Sequence, residues 1–107
     1  MVAKQQMMDE LVDRIVRTLD PERVVLFGSH GRGEGRPESD FDVLVIKESD
    51  EPRYQRSVPL YKALADWPAE VDVLVYTPHE VEEWSEVPEA FVTTALREGR
   101  VLYERQN

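Results

Sequence analysis

Three aspartates carry most of the chemical information in this chain. In Ser39-Asp40-Phe41-Asp42-Val43-Leu44-Val45-Ile46, residues two apart on a strand share a face, so Asp40 and Asp42 project together while Phe41, Val43 and Val45 take the other face. Two carboxylates this close repel unless one is protonated or a cation lies between them. Oxygen ligands of this kind suit Mg²⁺. The plain alternative is an exposed strand end with two solvated aspartates. Asp72 weakens it, because Val71-Asp72-Val73-Leu74-Val75 reads as a buried strand, in which an ionised carboxylate is costly unless paired or bound to metal. A buried salt bridge to an arginine is the competing account of Asp72. If the two strands are neighbours, the three carboxylates converge and could anchor two ions roughly 4 Å apart, the arrangement used for in-line phosphoryl displacement.

A phosphate-binding segment should precede the carboxylates. Val24-Val25-Leu26-Phe27-Gly28-Ser29 is a strand running into a glycine and a small hydroxyl residue. Gly28 would let the backbone approach a ligand, the N–H groups that follow can receive a phosphate, and Ser29 adds a hydroxyl. Arg32 is placed either to contact phosphate oxygens or to brace the turn through a carboxylate. No Gly-Lys-Ser/Thr follows, so this is not a P-loop, and Gly31-x-Gly33-x-Gly35 lacks the spacing of a dinucleotide fingerprint. His30 reads as a loop residue rather than a base.

These groups need a scaffold. Met8, Leu11, Val12, Ile15, Val16 and Leu19 form one stripe of an amphipathic helix over residues 7–19, stopped by Asp20-Pro21. Strands are expected over Val24–Phe27, Phe41–Ile46 and Val71–Tyr76. The segment Gly31–Pro37 is too glycine-rich for regular structure beyond one turn, and Lys47–Arg56 is expected as the most exposed loop. Pro59 fits the first turn of a helix over 58–66. Thr77-Pro78-His79-Glu80 reads as a capping box, with His79 exposed. A last helix over 88–98 should close on a left-handed Gly99, before a short strand Val101–Tyr103. Trp67 and Trp84 are expected in the core or an interface, and Glu80, Glu82, Glu83, Glu86 and Glu89 on a solvated face. The order predicts an α/β (α+β) fold, a small mixed sheet flanked by helices, in one domain over residues 1–107.

Composition narrows the class. At 107 residues and 41% apolar, the chain can build one ordinary core. No run of about 18 apolar residues is present, so no membrane span is expected, and the N-terminus lacks a signal peptide's apolar stretch. Without cysteine, disulfides and thiolate metal sites are excluded; a cytoplasmic protein is expected. Thirteen Lys and Arg against 22 Asp and Glu give a net charge of −9, which opposes direct binding of nucleic acid and suits either simple solubility or a basic protein partner.

Gly28-Ser29-His30-Gly31-Arg32-Gly33, Ser39-Asp40-Phe41-Asp42 and Asp72 in an apolar strand together resemble the DNA polymerase β-like nucleotidyltransferase superfamily, whose hallmark is Gly-Ser, ten residues, then Asp-x-Asp. Residues 30 to 39 supply the ten. The short length and the ending Leu96–Glu104 are similar to the minimal nucleotidyltransferase branch, so the resemblance runs from about Arg23 to Tyr103 and is strongest over 24–46. One departure is His30-Gly31, where many members carry Arg-Ala, which bears on the triphosphate contacts. The resemblance implies a polymerase β-like fold, with Asp40, Asp42 and Asp72 as catalytic metal ligands for two Mg²⁺ ions. It also implies Gly28, Ser29, Arg32 and Ser39 as nucleotide-binding residues, and ATP as the substrate.

The acceptor is a separate question. Minimal members are commonly paired with a small helical ribonuclease toxin of the HEPN class and act as antitoxins by transferring AMP to a toxin tyrosine, which the −9 charge would suit if the toxin's surface is basic. Two other readings stay open: transfer to a small molecule or an RNA end, or a binding antitoxin that neutralises its partner by contact alone.

Overall fold

The computed structural model describes residues 4–28 and 41–106. Its elements run α1 (Lys4–Leu19), β1 (Arg23–Phe27), β2 (Phe41–Ile46), α2 (Arg53–Arg56), α3 (Val58–Ala63), β3 (Val71–Tyr76), α4 (Pro78–Trp84), α5 (Phe91–Glu98) and β4 (Arg100–Glu104). The strands form one mixed sheet in the order β3-β2-β1-β4. β2 and β3 are parallel, and β1 is antiparallel to both β2 and β4. None of the described helices is long and apolar enough to cross a membrane.

The period-two pattern of the strands divides the core into two. Val24 and Leu26, then Phe41, Val43 and Val45, then Val71, Val73 and Val75 face α1 and α3, where Met7, Met8, Leu11, Ile15, Leu19, Leu60 and Leu64 meet them. Removing side chains of this size from such a core typically costs about 2–5 kcal/mol each. The opposite face carries Val25, Leu44 and Tyr76 under Val92 and Ala95 of α5. β2 is buried at every position except Asp42, which is half-buried.

The structure corrects several local expectations. The α1 stripe is shifted, with Met7 buried and Val12 and Val16 only half-buried. Lys47–Arg56 is not all loop, because Arg53–Arg56 forms a helical turn. There Arg53 lies over the Tyr76 ring at 4.5 Å and Arg56 hydrogen-bonds Val75 O and Glu80. α3 ends at Ala63, and α5 begins at Phe91 rather than Pro88. Gly99 is extended (φ −79, ψ 173), not left-handed. Its lack of a side chain serves packing instead, since a Cβ there would run into Ala95 O and lie 2.6 Å from Val25 Cγ1 and 2.9 Å from Leu26 O. The capping box forms as expected: Thr77 Oγ1 accepts from Glu80 N at 3.1 Å, and the Glu80 carboxylate accepts from Thr77 N at 2.9 Å. Trp67 packs on the α1-side core with its ring edge-on to Phe41, whereas Trp84 is exposed.

Candidate active site

The site lies where β1 ends and where β2 and β3 begin. Phe41 N donates to Glu70 O at 2.8 Å, tying the starts of the two parallel strands together. From that anchor the register follows, and Asp42 stands directly opposite Asp72. Neighbouring strands are about 4.8 Å apart and in-register side chains of a parallel pair point the same way, so the two carboxylates share one face and one end of the sheet. The rest of that face, Leu44, Leu74 and Tyr76, packs in the α5-side core.

Asp72 is exposed. This corrects the expectation of a buried carboxylate, and removes with it both the burial cost and the buried salt bridge offered as its rival. β3 is an edge strand, and its first α5-side position lies beyond the helices that cover Leu74 and Tyr76. A carboxylate here is reachable from solvent.

β1 contributes from the other flank of Asp42. Phe27 pairs with Asp42, and Gly28 follows with φ +70. That conformation is strained for any residue with a side chain. A Cβ on Gly28 would also press on Asp42 Oδ2 and lie 3.3 Å from its Cγ. Glycine is therefore required twice, by its own dihedral and by the carboxylate beside it. Phe27 stacks edge-on against Phe91 of α5 with centroids 5.2 Å apart, which fixes the end of β1 against the helix.

Of the seven residues singled out from the sequence, the structure brings Gly28, Asp42 and Asp72 together; Ser29, Arg32, Ser39 and Asp40 lie outside the described residues, as do His30 and the Gly31–Pro37 segment. Among the described residues no set of three or more acidic or histidine side chains could hold a metal. What they contribute is the Asp42–Asp72 pair, hard oxygen donors of like charge on one face, which fits a divalent cation better than any softer ligand set would. In open parallel α/β sheets ligands sit beyond the carboxyl ends of the strands. Here the pair sits at the amino ends of β2 and β3, and the antiparallel β1 brings its carboxyl end, with Gly28, to the same place.

Sequence reasoning missed the Arg56–Glu80 pair at the other end of β3. Arg56 Nη1 meets Glu80 Oε1 at 2.7 Å and Nη2 meets Oε2 at 3.2 Å, with the Arg56 side chain only 9% exposed. The Arg56 hydrogen bonds hold the Glu80 carboxyl below the usual glutamate range, against the opposing effect of partial burial. Glu80 thus leaves the solvated acidic face on which it was expected; the capping box alone was legible.

Known structures share this architecture. A candidate nucleotidyltransferase of Sulfolobus solfataricus superposes with TM-score 0.63 at 18% identity, covering 95% of this chain and 84% of that one. A toxin–antitoxin crystallised with AMP-PNP gives 0.63 at 16% identity, covering 92% and 74%. The MntA–HepT toxin–antitoxin gives 0.59 at 15% identity, covering 95% and 74%. At these identities the likeness is one of fold. No curated protein matches by sequence. The family model for nucleotidyltransferase domains, however, matches residues 8–106, and with that match over nearly the whole length the chain belongs to the nucleotidyltransferase-domain family.

Proposed function

We propose that this protein is a Mg²⁺-dependent adenylyltransferase, a single catalytic module acting in the cytoplasm as the antitoxin of a toxin–antitoxin pair, which moves AMP from ATP to a tyrosine hydroxyl of a HEPN-type ribonuclease toxin. The observation that carries the reading is the in-register pairing of Asp42 with Asp72, with Gly28 against the Asp42 carboxylate. Family membership supports nucleotidyl transfer. The toxin–antitoxin structures among those sharing the fold, one crystallised with AMP-PNP, support the choice of ATP and of a protein acceptor. The net charge of −9 favours a basic partner over RNA.

In this reading Asp40, Asp42 and Asp72 hold two magnesium ions, which when bound neutralise charge on the phosphoryl oxygens and the departing pyrophosphate. Gly28 and Ser29 cradle the β- and γ-phosphates through their backbone N–H groups and the serine hydroxyl, with Arg32 and Ser39 adding contacts to the nucleotide. The tyrosine oxygen bonds to the α-phosphorus as the bridging bond to the β-phosphate breaks. Pyrophosphate leaves, and Asp72 takes the phenolic proton.

The test incubates the purified protein with Mg²⁺ and α-labelled ATP in lysate of the source cells, beside an Asp40→Ala/Asp42→Ala variant. Label on one protein band, lost with the variant, is the expected result. Label on RNA or a small molecule would replace the acceptor. No transfer despite intact nucleotide binding would leave a contact antitoxin.

A further inference from the structure

Large apolar side chains stand uncovered where α4 passes into α5. Residues 82–89 are exposed without a break, and Trp84, Val87 and the first residue of α5, Phe91, are 44%, 39% and 48% exposed. Their backbone is nevertheless fixed. Trp84 O accepts from Val87 N at 3.0 Å and from Thr93 Oγ1 at 2.7 Å, and Val87 O accepts from Ala90 N at 3.1 Å. Side chains of this size favour burial by up to about 3 kcal/mol each. Held in place and ringed by polar residues, they mark a surface that another macromolecule covers.

The ring has one sign. Glu82, Glu83, Glu86 and Glu89 are all exposed. Glu83 faces the His79 imidazole at 3.5 Å, and the other three meet no cation among the described residues. Between Lys62 and Arg97 the chain has neither Lys nor Arg. A phosphodiester chain would be repelled here, and a second copy would set the same carboxylates against themselves. The occupant that fits is a protein whose apolar cleft is bordered by Lys and Arg. We infer that Trp84, Val87 and Phe91 are the docking surface for such a protein, an inference that rests on the protein-acceptor reading above.

The surface also adjoins the site. Val81 of α4 and Val92 of α5 pack on the sheet face that carries Asp42 and Asp72. Phe91 is edge-on to Phe27, the register partner of Asp42, and lines one pocket with Phe27 and Gly28. A protein seated on Phe91 therefore stands at the rim of the carboxylate site. Trp84 and the glutamates lie outside that pocket, so docking can be weakened there without touching the residues assigned to the nucleotide.

The experiment titrates, as acceptor, the purified protein that takes label in the lysate test. ATP affinity and the thermal midpoint of each variant are measured separately. Glu82→Lys/Glu86→Lys should raise the acceptor KM at least about tenfold at low salt, by a factor that shrinks as salt screens the rim. Trp84→Ser should raise it by a similar factor that salt does not remove. Both should keep kcat, ATP affinity and the thermal midpoint close to wild type. Asp9→Lys/Asp13→Lys makes the same charge change on α1, across the sheet, and should alter KM less than about twofold. An unchanged KM in both surface variants would overturn the inference, and so would a fall in kcat at unchanged KM. A dimer of the free chain that Trp84→Ser dissociates, or an oligoadenylate RNA whose binding the surface variants weaken, would overturn it too. Label on no protein at all would instead bring down the protein-acceptor reading, and this surface with it.

Discussion

The two ends of β3 use charge in opposite ways. At its carboxyl end Arg56 is closed by opposite charge and carbonyls. Its Nε donates to Glu51 O at 2.8 Å and its Nη1 to Val75 O at 3.1 Å, while both nitrogens of the fork reach Glu80. Glu80 in turn caps α4 through Thr77 N. At the amino end Asp72 stands beside Asp42, like charge against like, on an open end of the sheet. The first arrangement lowers the energy of the folded chain by itself. The second sets two like charges side by side, an arrangement that a cation between them would relieve.

That contrast can be broken from either end. The largest effect expected is on transfer: Asp72→Asn should lower the rate by about 10³-fold, while a thermal melt shows a midpoint at or above wild type because one of two like charges is gone. A clear drop in the midpoint would mean Asp72 stabilises the fold and would blur the distinction. Arg56→Ala should do the reverse, costing about 3 kcal/mol in urea unfolding because Glu80 is left half-buried without its partner, yet leaving the specific activity of the folded protein within about twofold.

Gly28→Ala tests the boundary between the two kinds of effect. The positive φ should cost more than about 1 kcal/mol. Displacement of the Asp42 carboxylate should lower transfer about a hundredfold, so both readouts move together. The smallest effect is pH dependence at the structural end. Folded Glu80 binds a proton less readily than it does in the unfolded chain. Its contribution is therefore present above the unfolded pKa of about 4.3 and is lost as pH falls through the lower folded value. Melting temperature followed from pH 6 to about pH 3 should fall less steeply for Glu80→Gln than for wild type, and parallel curves would remove Glu80 from the account.

How much of this was legible beforehand depended on whether the signal was local. Strands over Phe41–Ile46 and Val71–Tyr76 were readable to the residue because each is an apolar run broken only by one aspartate at its second position and bounded by polar residues. The capping box was readable because its four residues are contiguous. Gly99 was misread because a glycine after a helix usually signals a left-handed cap, whereas here it makes room for Val25 and Leu26 on a strand distant in sequence. The Arg56–Glu80 pair was invisible for the same reason, its partners lying 24 residues apart. The burial inferred for Asp72 from its apolar neighbours does not hold: the side chain is exposed, because the covering helices stop short of this end of the edge strand.

The sequence by itself determined the strands and the faces that their side chains take. Residue type and period-two spacing put Asp42 on the face opposite Phe41 and Val43, set Asp72 in its own strand, and placed a glycine at the end of β1. The tertiary structure alone decided that these groups meet. The parallel register anchored by Phe41 N and Glu70 O sets Asp42 opposite Asp72, and the place of β3 at the sheet edge leaves Asp72 open. Periodicity fixes which way a side chain points along its own strand. Which strand lies beside it, and in what register, is set by the packing of the whole sheet between its helices.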